Sequence, residues 1–241
     1  MSYGFNGCAS GEVAALKTLD LYLVRHGPPD CPPGLVYGAD VGASLPGIET
    51  LAKNAALLPA DAHWFTSPYT RAVDTAFALR GAAGQTMRAP IDVLPGFAEQ
   101  NFGDWAGHRH SALLQDPDSG FSAYRRDPAG VTPPNGESIA MHEVRVRKAL
   151  DDLVAKLSEH SASARQSAIV VCHGGPIRAL WAAATDRAMA DVLEDKQFRC
   201  QYLSITHITV DVANSAVIGI NPVGFNRLPR GTAASPDTHV L

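Results

Sequence analysis

The chain has 241 residues, 46% of them hydrophobic, which is enough to build the core of one large domain or two small ones. Its formal charge of −4, with lysines and arginines scattered rather than clustered, excludes the electrostatic footprint of a protein that binds nucleic acid or an anionic membrane. A membrane-spanning helix is excluded on length, since no run of about 18 apolar residues occurs.

The four cysteines, Cys8, Cys31, Cys172 and Cys200, are widely spaced and show no ligand-like pattern, which predicts reduced thiols in a cytoplasmic protein. Residues 1–17 lack the basic start and apolar core of a signal peptide and predict a loosely ordered extension. The first clear element is the apolar run Leu19 to Val24, which stops at Arg25-His26-Gly27. It reads as a buried strand of a parallel sheet, whose carboxyl end is where open α/β sheets place ligands. A second run, Ala168 to Cys172, ends in His173-Gly174-Gly175, so two histidines could face one crevice.

Between these runs, Pro28 to Asp40 is too rich in proline and glycine to be regular and predicts a loop. Ile48, Leu51, Ala52, Ala55 and Leu58 predict a helix over 46–58 opened by Pro46. Ala62 to Thr66 predicts a strand, and Tyr69 to Arg80 a helix with Arg71 in its first turn. A cation is disfavoured at that end of a helix, so Arg71 either serves an anionic ligand or pairs with Asp74. Ile91 to Leu94 predicts a short strand. Glu99 follows in the loop-like segment 97–107, either solvated or as a carboxyl of raised pKa in a partly apolar wall. Weak periodicity over 108–136 predicts short helices capping the sheet. His108 and His110 are the only other close histidine pair, and no further ligand stands at a metal-site spacing.

Glu137 to Glu159 predicts the longest helix, with Ile139, Val146, Leu150, Leu153, Val154 and Leu157 on one face. A Ser/Ala-rich linker leads into the strand ending at Cys172, and a helix is predicted over Pro176 to Ala184. Ser204 to Val210 and Ala216 to Ile220 predict an antiparallel hairpin at the sheet edge, followed by a loose tail over 229–241. The alternation predicts one α/β domain over 18–228, a three-layer α/β/α sandwich with a mostly parallel sheet, an antiparallel edge and a cap-like insertion around 97–136.

Two histidines, two arginines and a glutamate make joint sense if the substrate is a phosphomonoester. A neutral imidazole can attack phosphorus and split one displacement into two. Arginines orient phosphoryl oxygens by paired hydrogen bonds, a second histidine stabilises their charge, and a carboxyl protonates the leaving alkoxide.

With these residues the chain resembles the histidine phosphatase superfamily, which includes the cofactor-dependent phosphoglycerate mutases. The matching segments are Leu23-Val24-Arg25-His26-Gly27, Thr66-Ser67-Pro68 with Arg71-Ala72 and Thr75-Ala76, Glu99 to Gly107, Asn135-Gly136-Glu137-Ser138, and Val171 to Gly175. The resemblance implies His26 as phosphorylated nucleophile, Glu99 as proton donor, and Arg25, Arg71, His173 and Gly174 around the phosphate, with no metal and no cofactor. It implies a small phosphorylated metabolite as partner and leaves a homodimer open. The chain has Pro28-Pro29 and Pro32 where many members carry Glu-Thr or Glu-Ser and an asparagine, and the backbone at Tyr37-Gly38 is the candidate substitute for that phosphate contact. Tyr37-Gly38, Phe102 to Trp105 and His173 to Leu180 look most like the alpha-ribazole phosphatase and broad-specificity branch. A mutase, suggested by Arg125-Arg126, and a non-catalytic phospho-ligand or protein-binding relative are the alternatives.

Overall fold

The computed structural model describes residues 18–84, 90–159, 165–195, 198 and 200–224. The expected N-terminal extension, the Ser/Ala linker over 160–164 and the tail over 229–241 lie outside them. The elements run β1 (Thr18–Arg25), α1 (Ile48–Ala55), β2 (His63–Thr66), α2 (Thr70–Ala82), β3 (Asp92–Val93), α3 (His110–Gln115), α4 (Phe121–Arg126), α5 (Ile139–Glu159), β4 (Arg165–Cys172), α6 (Gly174–Thr185), α7 (Met189–Glu194), β5 (Ile205–Asp211) and β6 (Ala216–Gly224).

One six-stranded sheet has the order β3-β2-β4-β1-β5-β6. The first four of these strands are parallel; β5 runs antiparallel to β1, and β6 to β5, which is the expected antiparallel edge. Alternation along the strands sorts side chains into two cores. Leu19, Leu21, Leu23, Ala168, Val170 and Cys172 face Leu150, Leu153, Ile177 and Leu180 of α5 and α6. Val24, Ile169 and Val171 face Leu51 of α1 and Ala72, Ala76 and Leu79 of α2. Helices thus cover both faces, giving a three-layer α/β/α fold. Each fully buried aliphatic side chain contributes about 1.5–3 kcal/mol, so these strands cannot slip by one residue without exposing one core.

Asp20 is the one carboxylate buried in β1. It accepts hydrogen bonds from Arg165 and, at 2.8 Å, from His207. Burial alone would raise its pKa, but these partners outweigh burial and lower it.

The capping segment forms as α3 and α4 around a small core of Val36, Trp105, Leu113, Phe121 and Tyr124. Gly103 has φ of 53°, and a Cβ there would stand 2.0 Å from the Pro134 carbonyl. A side chain is excluded twice over, by conformation and by contact. That close approach lets Asp104 N–H donate to Pro134 and Glu137 N–H to Asn101, which ties segment 99–105 to the start of α5.

Two boundaries differ from expectation in ways that matter for the site. The helix predicted from Pro176 begins at Gly174, with His173 as its N-cap, because two glycines and a proline are compatible with a first turn whose N–H groups are spent elsewhere. The helix predicted from Glu137 begins at Ile139, which leaves Glu137 in the preceding turn.

Candidate active site

The register pairs Arg25 with Cys172. One residue further on, His26 N–H donates to the Cys172 carbonyl at 2.9 Å, so the strand pairing carries past the end of the sheet. It sets the His26 and His173 rings side by side, with centroids 5.0 Å apart. Both histidines are buried.

The tautomer of His26 follows from its neighbours. Nδ1 lies 2.6 Å from the Gly27 carbonyl, which can only accept, so Nδ1 carries the proton. Nε2 then bears a lone pair, and Arg71 Nε donates to it at 3.3 Å. His173 is fixed from its other side. Ser67 Oγ stands 2.6 Å from His173 Nε2 and accepts from Tyr69 N–H at 3.2 Å. The hydroxyl proton finds its acceptor at Nε2, which places the His173 proton on Nδ1, a buried atom with no partner among the described residues. Burial, and then the charges of His26, Arg71, Arg25 and His142, hold the His173 pKa well below 6.5, so the ring is neutral at pH 7.

Arg71 is 2% exposed, and among the described residues it forms no ion pair with Asp74, whose carboxylate instead accepts from Ala43 N–H. Its Nη1 donates to the Gly38 carbonyl at 2.8 Å. The first N–H groups of α2 are taken by Ala39 and Val41, so what this corner offers an anion is the Arg71 side chain, with donors to spare. Arg25 donates to the Cys200 carbonyl and lies over the Tyr202 ring at 4.1 Å, while its Nε is buried without a partner among the described residues.

Glu99 is half-buried. Its Oε1 accepts from Gly175 N–H at 3.0 Å and from its neighbour Gln100 N–H at 3.1 Å. A carboxylate at the start of α6 suits the helix dipole, and this contact spends one N–H of the first turn. The loop bearing Glu99 is held from behind: Arg145 donates to the carbonyls of Gly96, Ala98 and Glu99 and, through two nitrogens, to the Glu137 carboxylate. Burial would push the Glu137 carboxyl up, but Arg145 outweighs it and holds it at about 2. The site thus gathers a lone pair on His26, orphan donors on Arg25 and His173, the Arg71 guanidinium and a carboxylate. Such a set can grip a tetrahedral dianion and move one proton.

Residues 21–221 match the histidine phosphatase superfamily (branch 1). The chain belongs to that superfamily. It is 27% identical over 143 residues to the adenosylcobalamin/alpha-ribazole phosphatase of Escherichia coli strain K12; the match spans 54% of this chain and 64% of that protein, less than two-thirds of its length. Among solved structures, a mycobacterial glucosyl-3-phosphoglycerate phosphatase is 25% identical with a TM-score of 0.68, over 86% of this chain and 98% of its own. The alpha-ribazole phosphatase from Shigella flexneri is also 25% identical, with a TM-score of 0.67 over the same shares.

In this superfamily member His26 lies against His173 and Arg71, and Glu99 and Arg25 reach the start of α6 beside His173. Gly38 meets the site through its carbonyl, which positions Arg71. The proline-rich loop is ordered by pairing with 42–44: Asp30 N–H donates to Gly42, and Ser44 N–H to Pro28. Arg125 and Arg126 end α4 in the cap, with Arg126 exposed. Three residues escaped the sequence reading. Arg145 sits two helical turns after Glu137. His142 interrupts the apolar stripe of Ile139, Val146 and Leu153, and a histidine in such a stripe was the available signal. Tyr202 carried none.

No helix among the described residues is long and apolar enough to cross a membrane. Among them there is also no group of three or more His, Cys, Asp or Glu side chains placed to hold a metal ion, and His108 and His110 gain no third ligand.

Proposed function

We propose that the chain is a phosphomonoester hydrolase that works through a phosphohistidine on His26. The observation that carries this reading is the tautomer of His26, whose Nδ1–H is tied to Gly27 and whose Nε2 lone pair points at Arg71 beside the His173 ring. Nε2 attacks phosphorus as the ester bond to the leaving oxygen breaks. Arg25, Arg71 and the Nδ1–H of neutral His173 take the charge on the phosphoryl oxygens. Glu99 gives its proton to the leaving alkoxide, then accepts one from the water that attacks the phosphohistidine, and the P–N bond breaks to return the lone pair to Nε2.

A small phosphorylated metabolite suits a site whose Glu99 loop is joined to the α3–α4 cap by the hydrogen bond from Tyr124 to Gln100, and alpha-ribazole 5′-phosphate is the first candidate. The two solved relatives carry different leaving groups in their names at the same 25% identity, so the substrate is chosen by experiment. A panel of phosphorylated metabolites, with 3-phosphoglycerate assayed with and without a bisphosphate primer, ranks hydrolysis against mutase turnover. Labelling with a ³²P-phosphomonoester is expected to give an acid-labile, base-stable phosphoprotein that His26→Ala abolishes; labelling that survives this substitution overturns the reading.

A further inference from the structure

His142 lies on the buried face of α5 and is 1% exposed. Its Nδ1 is 2.7 Å from Arg145 Nη2 and 3.3 Å from Glu137 Oε2. A guanidinium has donors only, so the shorter contact places a lone pair on Nδ1 and the proton of the neutral ring on Nε2. That Nε2–H is buried and has no partner among the described residues, an arrangement that ordinarily costs free energy and calls for an acceptor. A candidate acceptor belongs to the site. Were a Cβ present at Gly175, it would meet Glu99 Oε1 at 2.1 Å and His142 Nε2 at 2.7 Å, so both atoms crowd the space that this glycine leaves open.

We propose that His142 is a positioning residue for Glu99, presenting Nε2–H to the carboxylate across Gly175 and stabilising it in the ionised form that accepts a proton from water. The inference rests on the phosphohistidine reading. In that cycle Glu99 is protonated when the leaving group departs and ionised when water attacks. A donor fixed behind the carboxylate helps the second step and is idle in the first. Arg145, itself oriented by the Glu137 carboxylate, holds the ring in the tautomer this needs. Other groups face the pair: the Glu99 charge acts on Arg71 and Tyr69 at the start of α2, on Tyr124 of α4, on Arg178 of α6 and on Cys172 of β4. His142 acts on His173. All of these remain in place in the variants below.

The test is rapid-quench kinetics on the full chain with p-nitrophenyl phosphate, whose leaving group needs little protonation, across pH 4.5 to 8. His142→Leu is expected to slow decay of the phosphohistidine about tenfold on the acid side, on the scale of one lost hydrogen bond to a charged group, with its formation unchanged. His142→Gln, which can again present an N–H, is expected to restore decay to within about threefold. Equal slowing of both steps, or no slowing of decay, overturns the inference. Should His142→Leu fail to fold, ¹H–¹⁵N spectra of the wild-type imidazoles decide: a proton on His142 Nε2 is expected, and one on Nδ1 at neutral pH overturns the inference. A wild-type chain that forms no phosphohistidine would overturn the reading of His26, and the imidazole spectrum would still read His142 independently.

Discussion

Gly27 N–H donates to Thr75 Oγ1 at 2.9 Å, and the same hydroxyl donates to the Arg71 carbonyl at 2.6 Å. One buried side chain thereby ties the residue after the proposed nucleophile to the helix turn that carries Arg71. Thr75→Val keeps the shape and leaves the Gly27 N–H buried without an acceptor. We expect a loss of about 1–3 kcal/mol in stability, read by denaturant unfolding, together with a lower kcat as the His26–Arg71 contact loosens. An unchanged kcat in the folded variant would show that the tie is structural only.

Much of this arrangement was legible in the sequence, for physical reasons that also explain the rest. Leu19 to Val24 and Ala168 to Cys172 are apolar because both faces of the sheet are covered, and strands of that kind announce themselves by composition. Arg25, His26 and His173 end those strands, so finding the strands located them. The ties that orient these groups were not legible. The contacts of Ser67 with His173, Arg145 with the 96–99 loop and His142 with the space at Gly175 join segments distant in the chain. The first follows from the pairing of β2 with β4 and the other two from the crossing of α5 over the sheet, which no local pattern encodes. The start of α6 at Gly174 was misjudged because glycines weaken a helix prediction, whereas here they allow the close approach of Glu99 and His142.

Gly175→Ala tests that approach. The added methyl would stand 2.1 Å from Glu99 Oε1, so the carboxylate must leave the first turn of α6. We expect a folded protein whose kcat falls at least about tenfold, since a displacement of about 1 Å can cost more than that. Circular dichroism would confirm the fold, and retention of full turnover would show that Glu99 works from another position.

Glu99→Gln removes the exchangeable proton and keeps the size. For alkyl phosphates, whose leaving oxygen must be protonated, a loss of about 10²–10⁴ in kcat is expected. For p-nitrophenyl phosphate the loss at phosphoenzyme formation should be much smaller. Equal losses for the two ester classes in single-turnover assays would remove Glu99 from the role of proton donor.

Glu137 supplies an acid-stability window. Its carboxyl, ordinarily near 4.5, is held at about 2 by Arg145 against the opposing effect of burial. The unfolded chain therefore binds this proton first as pH falls, and the stabilisation is complete above about 4.5 and lost as pH drops toward 2. Glu137→Gln should lower stability at pH 7 by about 2 kcal/mol, the scale of a charged hydrogen bond. It should also flatten the unfolding free energy between pH 4.5 and 2, measured by urea titration at a series of pH values.

His173 gives a second window, with its cause in the site itself. Its pKa is held well below 6.5, chiefly because the ring is fully buried and then because a charge on it would be repelled by its neighbours, among them the Arg71 and Arg25 guanidiniums. Below pH 6.5 the unfolded chain takes up a proton that the folded chain refuses, so the unfolded state binds more protons and stability falls as pH drops through that range. Above 6.5 the effect is absent. His173→Gln, neutral at every pH, should remove this slope between pH 6.5 and 5 and leave the Glu137 slope untouched. The same lowering explains why the ring can serve a phosphoryl oxygen through Nδ1–H without first gaining charge. A bound dianion reverses the balance, because it would favour the imidazolium that the empty pocket excludes. Inorganic phosphate should accordingly bind with uptake of protons near pH 6.5, measurable by calorimetry in buffers of different ionisation enthalpy, and the uptake should shrink in His173→Gln. Binding without proton uptake in the wild type would mean that His173 stays neutral throughout the cycle and meets the phosphoryl group through Nδ1–H alone, beside Arg25 and Arg71.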